Sequence, residues 1–161
     1  MSERSEWFVA ERTRSLAMIH LTRRDDLLVS NGGEGAGLQF IVRIEKEKGR
    51  PALRQFGLFL RGSRGPATLA QVEKSLRPTM QSFARLGPFP YPVALFHFMM
   101  EDDQGCFAWV AEPEVADGAP RLVLREAPAC LPLDRAALDG IVDRVDAWYD
   151  AFFSRVAVKA S

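Results

Sequence analysis

Cysteine and histidine are scarce, with two of each in 161 residues. Cys106 and Cys130 are too few for a disulfide framework or a zinc site. His20, at the end of an expected helix, reads as a capping or surface residue. His97, inside an apolar strand, reads as a buried, hydrogen-bonded one. Net charge is also lacking: the formal value is zero, so no whole-molecule field draws the chain onto nucleic acid. No apolar run approaches a membrane span. Residues Met1 to Glu6 lack the basic-then-apolar order of a signal peptide. The expectation is a cytoplasmic protein that does not enter a membrane. Internal repeats and low-complexity tracts are absent as well. Asn31-Gly32-Gly33-Glu34-Gly35-Ala36-Gly37 is Gly-rich, but it lacks the Lys-Ser/Thr of a phosphate loop and no helix follows it. It reads as a turn before a strand.

What is present is ordinary globular composition, 47% hydrophobic and 26% charged, in a length that suits one domain with a real core. The most ordered signal lies in Gly37 to Ile44 and Phe56 to Ser63, both alternating with period two. Leu38, Phe40, Val42 and Ile44 share one face of the first; Gln39, Ile41, Arg43 and Glu45 share the other. Phe56, Leu58 and Leu60 oppose Gly57, Phe59 and Arg61 in the second. Such alternation predicts half-buried strands. We expect residues 38–45 and 55–61 to be adjacent and antiparallel, joined through the solvated stretch Lys46 to Arg54.

The rest falls into helices and shorter strands. Ser5 to Thr22 predicts a helix capped by Ser5, with Trp7, Phe8, Leu16, Met18 and Ile19 as its apolar surface. Asp26 to Ser30 predicts an edge strand. Thr68 to Leu86 carries Leu69, Val72, Leu76, Met80, Phe83 and Leu86 at spacings of three and four, one apolar helical stripe. Pro78 inside it predicts a kink or break near Arg77. Pro92 to Met99 and Gln104 to Glu112 predict a hairpin turned by Glu101-Asp102-Asp103-Gln104-Gly105, whose adjacent acids diverge and read as a solvated turn, not a metal site. Glu112 to Ala119 reads as loop, Arg121 to Arg125 as a short strand, and Pro128 to Pro132 as a connector. Asp134 caps a last helix reaching about Val156. Ala137, Leu138, Ile141, Val142, Val145, Trp148, Tyr149 and Phe152 form its apolar face, and Asp139, Asp143, Asp146 and Asp150 its acidic side. The fold class expected is α/β, a single domain with a mixed central sheet flanked by helices.

Gly37-Leu38-Gln39-Phe40-Ile41-Val42 and Phe56-Gly57-Leu58-Phe59-Leu60-Arg61-Gly62-Ser63 resemble a bacterial family of the restriction-endonuclease-like (PD-D/E-x-K) nucleases. Its members occur alone and in defence-associated proteins. They carry a helix with a Glu, a strand reading roughly G-x-D-hydrophobic-x-V, and a strand reading F-x-V-Q-V-K-G-S. Tyr91 to Phe96 and Cys106 to Val110 resemble the family's later hairpin, so most of the chain is covered. The resemblance implies a metal-dependent nuclease scaffold over residues 1–161.

The same comparison implies that the catalytic centre is degenerate. Nuclease chemistry of this kind needs hard oxygen ligands on a divalent cation. The family's metal-binding Asp falls on Gln39, a neutral amide. Its next ligand position falls on Phe59. Its Lys falls on Arg61, which keeps a charge but is no base at neutral pH. Only the helix acid remains, as Glu11 or Glu6. The expectation is therefore a non-catalytic binding or interaction module with no metal and no cofactor. The enzyme alternative keeps Mg or Mn through a relocated acid, Glu45, which shares a strand face with Gln39. A third reading is a small immunity or scaffold protein that binds another protein.

Charge is distributed unevenly despite its zero sum. Up to residue 80 there are roughly five more Lys and Arg than Asp and Glu, and the remainder is acidic by a similar margin. Lys46, Lys48, Arg50, Arg54, Arg61 and Arg64, with Arg12, Arg14, Arg23 and Arg24, make up much of the basic excess. The readings are solvated faces, a weak phosphate-facing patch, or a self-complementary homodimer.

Overall fold

The computed structural model describes residues 3–32, 37–47 and 53–160. Alternating segments pair into one mixed sheet because each buries apolar side chains only when its neighbours cover its edges. Strands β1 (Leu27–Asn31), β2 (Phe40–Ile44) and β3 (Arg54–Ser63) form an antiparallel meander in the order of the chain. Helix α1 (Glu3–Leu21) precedes them, and α2 (Leu69–Leu86) crosses over to β4 (Val93–Met99), which is parallel to β3. β5 (Gly105–Ala116) and β6 (Ala119–Leu124) extend the sheet antiparallel; the two-residue β7 (Leu131–Pro132) pairs with β5. α3 (Arg135–Ala160) ends the chain's secondary structure. The pairing expected for residues 38–45 and 55–61 is present, with Phe40 opposite Leu58 and Ile44 opposite Arg54.

Both faces of the sheet are covered. On one, Ala17 and Leu21 of α1 and Leu138, Ile141, Val142 and Val145 of α3 pack on Phe40, Val42, Phe56 and Leu58. On the other, Val72, Leu76, Met80 and Phe83 of α2 pack on Phe59, Val93 and Leu95. All seven residues of β4 are buried, as two covered faces require. Among the described residues no helix is long and apolar enough to cross a membrane.

Several sequence expectations are corrected. α1 begins at Glu3, so Ser5 lies inside it. Trp7, Phe8 and Ile19 are exposed, and Thr13, Ala17 and Leu21 are the buried residues. Small side chains win here because α1 lies close on β3: a Cβ at Gly62 would meet Thr13 Oγ1 at 2.4 Å. α2 runs unbroken through Pro78. That proline and Lys74 one turn before it are exposed, so the lost hydrogen bond falls where water meets the freed carbonyl. Thr68 and Gln71 close a capping box at its start. Residues 112–116 are strand, not loop. Asp117 and Gly118, with φ of 51° and 73°, turn β5 directly into β6, the Asp-Gly signal of a tight hairpin. Asp134 caps α3 as expected, accepting from the Ala137 N–H at 2.7 Å.

Candidate binding cleft

Sequence places the residues at 6, 10, 13, 17 and 21 of α1 along the line that faces the sheet. Ala17 and Leu21 are fully buried on that line, and Thr13 nearly so. Glu6 and Ala10 are exposed. The N-terminal turns of α1 therefore reach past the buried contact and border an open space beside the sheet. That space is a cleft of about 530 Å³, bordered by Glu6, Val9, Ala10, Thr13 and Arg14 from α1. Gln39, Leu60, Arg61, Gly62, Ser63 and Arg64 complete its lining.

Three of the sequence-singled positions meet here or just behind the strand. The Gln39 side-chain Oε1 accepts the Leu60 N–H at 2.7 Å. Arg61 folds back and donates to the Leu60 carbonyl at 2.8 Å. These two side chains thus take the place of the strand residue that β2 no longer supplies beyond its pairing at Leu58. The Arg61 guanidinium also lies 5.2 Å from the centre of the Phe83 ring, and burial pushes its pKa down; it stays charged at neutral pH. Phe59 faces the opposite layer, completely buried. Its ring stacks on Phe83 at 3.6 Å with an interplanar angle of 7°, and Phe89 stands edge-on at 6.4 Å.

The acids separate. Glu6 borders the cleft. Glu11 points to the neighbouring groove with Ser15, Val29 and Asn31. Glu45 lies past the other end of β2, where its N–H meets the Asp26 carbonyl. Six residues at about 3.3 Å per residue place it roughly 20 Å from Gln39. A shared strand face does not bring the two together.

The cations divide in the same way. Lys46 binds Asp146, and Arg54 binds Asp146 and Asp150 on α3; Arg54 also covers the Phe153 ring. Arg24 joins Asp26 and Asp139, and Arg12 joins Asp103. Much of the basic excess is therefore neutralised by acids of the same chain. Lys48 and Arg50 lie outside the described residues. Around the cleft, Arg14, Arg61 and Arg64 have no carboxylate partner among the described residues. Each guanidinium rests on an aromatic ring instead: Arg14 on Phe40, Arg61 on Phe83, Arg64 on Phe8.

Thr13 and Gly62 were not singled out from the sequence. A threonine on the inward line of α1, with small residues at 10 and 17, was the available signal. The Thr13 hydroxyl is buried and has no hydrogen-bond partner among the described residues. His97 is buried, its Nε2 3.1 Å from Ser63 Oγ, as expected; burial lowers its pKa. Cys106 and Cys130 are both buried and free. The hydrogen bond with Cys130 and burial push the Cys106 thiol up, which keeps it protonated and unreactive.

No family model, curated protein or solved structure matches the chain.

Proposed function

We propose that the protein is a non-catalytic binding module on a restriction-endonuclease-like scaffold, a pseudo-nuclease of a bacterial, defence-related kind. The order of helix, then Gln39 strand, then Phe59–Arg61 strand suits that resemblance. One observation carries the reading: the positions where a nuclease would hold its metal and lysine are engaged in structure. Gln39 and Arg61 close the edge of β3 at Leu60, and Phe59 fills the α2 layer. Among the described residues no three His, Cys, Asp or Glu side chains stand close enough to hold an ion. Glu6 alone would leave a cation bound mostly by water, too loosely to fix a phosphate and a nucleophile together.

The test is cleavage. Purified protein with magnesium or manganese is expected to leave plasmid, linear and single-stranded DNA uncut above background. Metal-dependent cutting that disappears in Glu6→Ala, Glu11→Ala or Glu45→Ala would overturn the reading and restore the enzyme alternative. Polynucleotide binding, in this reading, is weak and steeply salt-dependent, because Lys46 and Arg54 are already paired.

A further inference from the structure

The cleft under α1 has the make-up of a small-ligand site. Its volume, about 530 Å³, falls within the range of about 300–1,000 Å³ that such sites occupy. Its walls at Val9, Ala10 and Leu60 are apolar, and a few polar groups stand among them. Three of those groups are guanidiniums without a carboxylate among the described residues. Stacking on aromatic rings holds each in place through its face; Arg14 also donates to Asn31 Oδ1 at 2.9 Å and Arg61 to the Leu60 carbonyl at 2.8 Å, and their remaining in-plane N–H groups face a ligand with those of Arg64. Among the described residues Glu6 is the one acid in the lining, so their charge favours an anion.

The buried Thr13 hydroxyl points the same way. It is 2% exposed, borders the cleft and has no partner among the described residues. A buried hydroxyl left unpaired costs free energy that an oxygen-bearing ligand would recover. Gly62 lies opposite it, so close that a Cβ there would collide with Oγ1. The hydroxyl thus packs directly on the end of β3, at the closed inner edge of the cleft.

An extended peptide is the wrong shape for this slot. Strand addition needs free backbone groups along an edge, but the Leu60 N–H and C=O are already taken by Gln39 and Arg61. A polynucleotide needs a continuous run of cations, whereas Lys46 and Arg54 are paired with α3. We infer that this cleft binds a small amphipathic anion, its oxygen-rich head held by Arg64, Arg61, Arg14 and the Thr13 hydroxyl and its apolar body against Val9, Ala10 and Leu60. The inference rests on the reading of the cleft as a binding site without metal. A carboxylate and a phosphate monoester both supply the required head.

Four probes decide the matter by amide chemical-shift titration of the full chain: octanoate, octyl phosphate, inorganic phosphate and octyltrimethylammonium. Saturable shifts at Val9, Thr13, Gly62 and Arg64 are expected with one or both octyl anions. The tighter of the two identifies the head group. Inorganic phosphate is expected to bind at least about tenfold more weakly, because it lacks the apolar body. The ammonium probe is expected to bind elsewhere or not at all. Arg64→Gln should weaken the octyl anion by about tenfold or more. Thr13→Val should weaken it by about five- to tenfold while leaving the melting temperature unchanged or raised, since the valine removes an unpaired hydroxyl. Equal binding of the ammonium, failure of both octyl anions, or tighter binding of a twelve-nucleotide single strand at the same amides would overturn the inference. Manganese-dependent DNA cleavage by the same preparation would instead overturn the non-catalytic reading, whatever the amphiphiles do.

Discussion

Phe59 and Leu60 are neighbours on β3, yet the layers they face are finished differently. Behind Phe59, α2 closes on the sheet with Phe83 stacked against the ring and Phe89 at its edge. In front of Leu60, α1 lies close on β3 at Val9 and Thr13, and beside that contact its first turns border an open cleft. One face is given over to packing; the other keeps three arginines without a carboxylate partner and the Thr13 hydroxyl without a hydrogen-bond partner among the described residues. The difference is between a closed layer and an open one: Phe59 belongs to the core, and the space beside α1 is unfilled by the described side chains.

The largest expected effect breaks the packed face. Phe59→Ala should cost about 3–5 kcal/mol of stability, the range for a fully buried aromatic, read by urea denaturation. A loss within a few tenths of that of a surface variant would mean the layer collapses readily and the site was never filled in earnest. Next comes the close approach at the other face. Gly62→Ala places a methyl 2.4 Å from Thr13 Oγ1 and 2.9 Å from Val9 Cγ1. Overpacking of that kind costs about 1–3 kcal/mol. Pairing it with Thr13→Ala should recover part of the loss, and a purely additive double variant would contradict the contact.

Charge gives a third and milder contrast. Arg54 is largely covered, binds Asp146 and Asp150, and rests on Phe153. Arg54→Ala should therefore cost about 1–2 kcal/mol through lost charge-assisted hydrogen bonds, with little change in any nucleic-acid retention at low salt. Arg64→Ala should do the reverse, lowering retention while the melting temperature barely moves. Equal effects in both assays would erase the distinction between paired and unpaired arginines.

How much of this was legible beforehand depends on the kind of signal. Period-two alternation in residues 38–45 and 55–61 was enough to pair β2 with β3, because burying alternate side chains fixes register. Alternation alone gives one buried face of β3; the burial of Phe59 on the other is expected from the resemblance, whose metal-ligand position it fills, and α2 covers it. α1 misled for a related reason. Its large residues, Trp7, Phe8 and Ile19, point outward, and its docking line runs through Thr13 and Ala17, which apolarity does not flag. Asp117-Gly118 carries a tight-hairpin signal inside a stretch, Glu112 to Ala119, whose composition otherwise reads as loop. Salt bridges such as Arg54–Asp146 join residues 92 apart, a separation no local pattern encodes. The cleft itself was not legible, since it is a space beneath a helix and not a motif.

The smallest expected effect concerns pH. Burial lowers the pKa of His97, and burial together with Arg23 lowers that of His20. The unfolded chain then binds protons near the ordinary histidine value that the folded chain refuses. Stability is present in full above that value and falls as pH drops from about 7 towards 5. Denaturation midpoints at the two ends of that window should differ in that direction, and less so in His97→Gln. A midpoint that rises on acidification would mean the histidines gain partners on folding.

Manganese binding tests the central claim most directly. In a spectrum of backbone amides, substoichiometric manganese should produce only diffuse broadening near exposed acids. Saturable broadening centred on Glu6, Gln39 and Leu60, competed away by magnesium, would contradict the account: the cleft would then be a metal site, and the chain a nuclease whose ligands Gln39 and Phe59 do not reveal.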